Sequence, residues 1–322
     1  MRGFFQKQFL SVIFLQSCSL CFSLSVHAKS TEKVLSSNYN GIYEGQSLRQ
    51  RSLEEILSTV KPNTVILLGE NHGVLEHKNQ HLQILNQLRH QGLKVSVGLE
   101  FLDYRNQKEV DLYRQGYLKE SDFLNQVQWG GVSFDFYREQ LQFPKYEQGE
   151  FSLALNLSRQ VTNKVMRHGL LSLSPEESSW LPPQFELGRE IYKKRFTESI
   201  PHKIPEDKLI NWFTAHCLWD DTVAWTISDF MKNNPDQVLV VVMGDFHIQY
   251  GGGLPDRLQK RWGGVQMSLS QLNSWGAKDK EIEEILKPHP EYGPRADYIW
   301  VAEAPEEVES PFEVFFKLLM NE

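Results

Sequence analysis

TVILLGENHGVLEHKNQHLQILNQLRHQGLKVSVGLE, residues 64–100, opens and closes on an apolar run and carries a helical pattern between the two. The runs TVILLGE (64–70) and KVSVGLE (94–100) are nearly continuous in apolar residues rather than alternating. That is the pattern of strands covered on both faces, as in a parallel sheet. Within 77–91, His77, His81, Leu85 and Leu88 recur at spacings of four, four and three, which puts them on one face of a helix. Strand, helix, strand is a βαβ unit, and it predicts an α/β fold.

Four more runs extend the sheet: FSLALN (151–156), QVLVVVMGD (237–245), GVQMSLS (264–270) and YIWVAE (298–303). Residues 105–235 are mostly helical in pattern, over 158–169, 175–198 and 206–232, with Pro175 at a favoured first-turn position. The expected architecture is a mostly parallel central sheet flanked by helices. About 105–235 form a helical insertion, interrupted by the strand 151–156, that acts as a lid or wall. A last amphipathic helix is expected over 306–321, and the polar stretch 29–52 reads as a loosely ordered lead-in. No linker, repeat or low-complexity tract appears, so 29–322 reads as a single α/β domain with its core at 50–270.

The first 28 residues read as a signal peptide. Arg2 and Lys7 precede the apolar stretch FLSVIFLQSCSLCFSLSV, and Val26-His27-Ala28 fits an export peptidase cut after Ala28. Leu15-Gln16-Ser17-Cys18 is a loose lipobox that would instead leave a lipid on Cys18 and attach the chain to a membrane. Both readings export the protein, to the periplasm or the outer membrane. Cleavage removes two basic residues and no acidic one, so the formal net charge moves from −7 to −9. Such a balance argues against nucleic acid as a partner. Cys217 is then the one cysteine left, which excludes a disulfide framework and leaves a buried, inert thiol as the expectation.

In open α/β sheets, ligands bind beyond the carboxyl ends of the strands. The residues expected there are Glu70 and His72, Glu100, Asn156, and Asp245 with His247. Two of these ends share a Gly-acid-x-His pattern, Gly69–His72 and Gly244–His247, in which glycine allows a sharp turn. Carboxylates and imidazoles at close range suit a metal or general acid/base site, with Glu70, His72, Glu100, Asp245 and His247 as the metal-ligating set. The plainer alternative is a pair of turns that cap helices. His77, one turn from the rim, can reach the site, whereas His81 reads as a satisfied core histidine. Lys78 follows His77 where a zinc protease motif would place Glu. Asp220 stands four residues after His216, which suggests a hydrogen-bonded pair on one helix face. No phosphate loop, dinucleotide fingerprint or G-x-S-x-G elbow is present.

LLGENHGVLEHKNQHLQIL, VGLEF, SLALNLSRQVTNKVMRHGLLSLSPEESSWLPP and WDDTVAWTI…VVVMGDFHIQYGGGLPDRL follow one another in order. The series resembles the ChaN-like haem-binding proteins, which are similar in turn to erythromycin esterases and Tiki metalloproteases. The resemblance covers about 50–270. It implies an α/β fold with a helical cap and a site at Glu70, His72, Glu100 and His247. It also implies haem bound in a tyrosine–histidine arrangement within a homodimer, where His72, His77, Tyr137, His247 and Tyr250 are the candidates to hold it. One departure is Gly244-Asp245-Phe246-His247, where the family has Gly-Asn-Gly-His. Two functions follow as expectations. The first is binding of haem or an iron complex for uptake. The second is a hydrolase, with or without a divalent metal, that uses Glu70, His72, Glu100 and His247 to activate water.

Overall fold

The apolar runs do become strands, and the continuity of the central ones, 64–70, 94–103 and 237–244, has the expected cause, since they are buried along nearly their whole length. In chain order the strands are β1 (Gly41–Glu44), β2 (Gln50–Arg51), β3 (Thr64–Glu70), β4 (Lys94–Asp103), β5 (Ser152–Asn156), β6 (Gln237–Gly244), β7 (Val265–Asn273) and β8 (Tyr298–Ala302). The computed structural model describes residues 38–200 and 204–304. The signal segment 1–28, Cys18 and the helix expected at 306–321 lie outside the described residues. The sheet runs in the order β2-β1-β8-β7-β3-β6-β4-β5, with β3 to β8 parallel and β1 and β2 antiparallel at one edge.

The helices are α1 (Leu53–Leu57), α2 (Leu75–His90), α3 (Gln107–Arg114), α4 (Glu120–Gln126), α5 (Arg138–Gln142) and α6 (Arg159–His168). They continue with α7 (Pro175–Ser179), α8 (Glu190–Glu198), α9 (Glu206–Asn233), α10 (Leu254–Arg261) and α11 (Asp279–Leu286). Alternate residues of the strands serve two cores. Ile66, Leu68, Val97, Leu99, Val240 and Val242 pack against Ile84, Leu85 and Leu88 of α2 and against residues of α3 to α5. Val65, Leu67, Leu239, Val241 and Met243 pack on the other face against Val223, Ile227 and Met231 of α9 and against Leu254 and Leu258 of α10. The stretch read as an insertion therefore supplies a covering layer to each face of the sheet.

Two local expectations are corrected. Residues 175–198 do not form one helix: α7 stops at Ser179 and α8 starts at Glu190, with Pro182 and Pro183 between them, where proline lacks the N–H a helix needs. Residues 41–51 are not a loose lead-in, because β1 pairs Gly41–Glu44 with Tyr298–Val301 of β8 and so closes the sheet edge. The parallel register sets Glu70 opposite Gly244, and β6 lies between β3 and β4. Along β4, four steps from Leu99 to Asp103 match only two on β5, from Ala154 to Asn156. This bulge falls at Glu100–Leu102 and re-aims the strand end, as bulges beside functional sites commonly do.

The central strands should carry the stability. Ile66→Ala, at a fully buried position, is expected to cost about 2–5 kcal/mol in chemical denaturation. Val265→Ala, at a position 65% exposed, should stay within about 0.5 kcal/mol.

Candidate functional site

The strand-end residues do not gather into one metal set. They divide into two hydrogen-bonded clusters on either side of Gly244. In the first, His72 reaches over the end of β6 and is held between two carboxylates. Its Nδ1 donates to Glu70 Oε1 at 2.9 Å, and its Nε2 lies 3.1 Å from Glu100 Oε1. The Tyr137 hydroxyl also donates to Glu70 Oε1. The other oxygen of Glu100 accepts the Gly244 N–H at 2.8 Å, and the Asn156 amide donates to the Glu100 carbonyl at 2.9 Å. The Phe101 ring meets His72 edge-on at 4.8 Å and Tyr137 at 4.9 Å. Glu70, Glu100 and Tyr137 are buried to within a few per cent.

Burial opposes ionisation of His72, but Glu100 and then Glu70, by charge and hydrogen bond, outweigh it and hold the imidazolium up to about 10. Burial likewise works against the Glu70 carboxylate, and the bond and charge of His72 hold it below its ordinary value all the same. His72 is thus a cation at neutral pH, with a carboxylate on each ring nitrogen. It has no lone pair for a metal or for haem iron, and it cannot accept a proton as a base.

The second cluster is built on α9. Asp220 Oδ1 accepts from His247 Nδ1 at 2.7 Å, and Asp220 Oδ2 accepts from the Tyr192 hydroxyl at 2.8 Å. That hydroxyl also lies 2.7 Å from His216 Nε2. Its single proton goes to the carboxylate, so His216 offers its own Nε2–H to the tyrosine oxygen. His216 and Asp220, expected as a hydrogen-bonded pair, are joined through the Tyr192 hydroxyl. The rings of His216 and His247 stack at 4.3 Å, and Trp219 lies nearly parallel to His247 at 6.2 Å. Burial, with His247 beside it, keeps His216 neutral. Among the described residues, His247 keeps one nitrogen, Nε2, without a protein partner.

Glycine is required at the two Gly-acid-x-His sites for room rather than for turning, since Gly244 has a φ of −57°. A Cβ on Gly244 would stand 3.1 Å from His72 Nε2 and 3.7 Å from His247 Cδ2, and one on Gly69 would stand 2.3 Å from Asp245 Oδ1. The two clusters thus face each other across Gly244.

The remaining candidates lie apart from them. Asp245 Oδ2 accepts from Arg295 and Gln249, both at 2.5 Å, while its Oδ1 is buried without a hydrogen-bond partner among the described residues. His77 is fully buried, and its Nδ1 accepts the Asn71 N–H at 3.0 Å. Burial lowers it to about 4. It therefore braces the turn after β3 through Nδ1, while its Nε2 is buried without a hydrogen-bond partner among the described residues. His81 is the satisfied core histidine expected, with Gln271 Oε1 at 2.7 Å and Gln140 Nε2 at 3.3 Å. Tyr250 takes a left-handed φ of 58° and packs against Tyr292 and His289. Cys217 is buried and accepts the Gly188 N–H, and burial pushes its thiol up to about 12, as expected of an inert cysteine.

The two buried histidines of the first strand end give stability a pH optimum. An unfolded histidine titrates near ~6.5. The contribution of His72 is complete below that value and is lost as pH rises toward about 10. The opposite holds for His77, whose contribution is lost as pH falls toward about 4. Unfolding free energy should therefore peak near pH ~6.5. Glu100→Gln should flatten the alkaline limb alone, as read by denaturant titration across pH.

This geometry can be set beside known proteins. The profile of a family described as haem-binding uptake, Tiki superfamily, ChaN matches residues 56–258. No curated protein sequence matches the chain. The solved structure of ChaN from Campylobacter jejuni, described with cofacial haem binding, is similar over 80% of this chain and 94% of that one, with a TM-score of 0.57 and 21% identity. At that identity the likeness is one of fold. An erythromycin esterase mutant in its open conformation is similar at a TM-score of 0.42 and 12% identity, over 72% of this chain and 78% of that one. A MARTX toxin effector domain from Vibrio vulnificus gives 0.37 and 15%, over 76% and 42%. The profile spans well over half of the residues, and the chain belongs to the ChaN family of haem-binding uptake proteins in the Tiki superfamily.

Proposed function

We propose that this chain is an exported haem-binding protein, acting in haem or iron uptake, that takes the haem iron on His247. The observation that carries this reading is the Asp220–His247 pair. The buried carboxylate takes Nδ1 and leaves Nε2 as the nitrogen that can meet iron, and no group among the described residues uses it. Histidines that hold a metal regularly have this support from behind. Haem iron accepts such a nitrogen as an axial ligand. The stacked rings of His216 and Trp219 keep the imidazole from rotating. His72 is saturated by carboxylates and Tyr137 by Glu70, which leaves them as architecture beneath the ligand.

Export rests on the N-terminal pattern, with release into the periplasm by cleavage after Ala28 or retention at a membrane through Cys18. Among the described residues no helix is long and apolar enough to cross a membrane. A homodimer that stacks two haems is the assembly consistent with the family.

Haemin titrated into residues 29–322 should give a saturable, shifted Soret band at one haem per chain. His247→Ala should abolish it, and Asp220→Asn should weaken binding about 10–100-fold. The Asp220→Asn change keeps the side-chain volume and loses the charge, so unchanged affinity in both variants would remove His247 from the iron. His72→Gln should leave the band in place.

A divalent-metal hydrolase is the second reading. Ligating atoms of His216, Asp220 and His247 lie within 4.8 Å of one another, the spacing of a site formed by two histidines and a carboxylate. If haemin does not bind, stoichiometric zinc lost in Asp220→Asn, together with turnover of an ester panel, would establish this alternative.

A further inference from the structure

Beside the second cluster, Arg195 of α8 is only 7% exposed, and no carboxylate among the described residues pairs with it. Its Nη2 donates to the Phe246 carbonyl at 2.7 Å and its Nη1 to Gln249 Oε1 at 3.2 Å, both neutral acceptors. The guanidinium lies 4.1 Å from the Phe246 ring centre and just over 5 Å from those of Tyr192 and Tyr250. Asp245 is near enough to be felt but forms no ion pair with Arg195 among the described residues: Arg295 and Gln249 both bond its Oδ2, and its Oδ1 is buried without a hydrogen-bond partner. Two of the five guanidinium donors are used in this way, and the others remain. A buried charge without a counter-charge is costly, and a bound anion is the usual remedy.

Arg195 lines a cavity of about 270 Å³ together with Arg189, Tyr192, Tyr250 and Tyr292. Glu291 also lines it, but its carboxylate is held by Lys194. Arg189 is likewise paired, with Asp256 at 3.4 Å, so Arg195 is the lining cation left without an ion pair among the described residues. The cavity also touches the His247 cluster at two points. Tyr192 donates to Asp220, and Phe246, whose carbonyl takes the Arg195 bond, is the residue before His247.

We infer that this cavity binds a carboxylate, with Arg195 as its main partner and Arg189 at the mouth. Resting on the haem reading above, the carboxylate is a haem propionate, and the iron on His247 and the acid at Arg195 hold two parts of one ligand. A free small carboxylate offers the same chemistry.

Metal-free protoporphyrin IX and its dimethyl ester separate these sources, because neither carries iron for His247. With residues 29–322, porphyrin fluorescence should show the diacid binding about tenfold or more tighter than the diester, the size expected for one charged hydrogen-bonded pair. Arg195→Gln should erase that preference, and His247→Ala should keep it. If Arg195→Gln does not fold, the diacid–diester comparison on the unaltered chain still decides, with the half-exposed Arg189→Ala as the milder variant. Equal affinity for diacid and diester would overturn the proposal. If no porphyrin binds, a calorimetric titration with propionate replaces it. Saturable, Arg195-dependent heat would keep the carboxylate site while removing haem from it, and no heat would overturn both.

Discussion

Glu70 and Glu100 stand buried at the ends of the two strands that flank β6, and His72 joins them with one ring nitrogen on each. The same contact ties three strands together, since Glu100 also accepts the Gly244 N–H of β6. Its geometry depends on a missing side chain: His72 can cross the end of β6 only because Gly244 has no Cβ. The bulge on β4 then turns Glu100 and Phe101 toward the crossing. Everything else at the carboxyl rim is arranged around this clamp, and the clamp itself is chemically saturated.

A saturated clamp gives the rim a division of labour. On one side of Gly244 the titratable groups neutralise one another and fix the backbone. On the other side, Asp220 orients His247 through Nδ1, while the Tyr192 hydroxyl bonds its second oxygen and is itself met by His216. The charge on Asp220 is retained despite complete burial because His247 and Tyr192 both donate to it. Asp221, the adjacent acid, is drawn the opposite way into a two-bond pair with Arg261 at 2.7 Å. Two neighbouring carboxylates on one helix thereby serve different tasks: one orients His247 and the other fastens α10 to α9.

The sheet was legible in the sequence because burial on both faces leaves continuous apolar runs, and those runs alone locate Glu70, Glu100 and His247 at one rim. The division of the rim was not legible. Whether His72 turns to Glu70 and Glu100 or to His247 depends on β6 lying between β3 and β4, and strand order is not written in any local pattern. Asp220 and His216 could be found from their spacing on one helix. Tyr192 and Arg195 could not, because they sit in the polar segment EIYKKRFTE and reach the site only when α8 packs against α9. The edge strands β1 and β2 escaped for a similar reason: they are short and polar, and β1 pairs with β8 from the far end of the chain. The break between α7 and α8 did carry a signal, in Pro182 and Pro183.

The proposed partner of haem iron is one atom, His247 Nε2. Resonance Raman spectroscopy of the ferrous haem complex tests it most directly, by reading the iron–histidine stretch. The stretch should be present in the unaltered chain, absent in His247→Ala, and replaced by an iron–imidazole mode when imidazole is supplied to that variant. An unchanged stretch in His247→Ala, or a tyrosinate-type spectrum in the ferric state of both proteins, would contradict it.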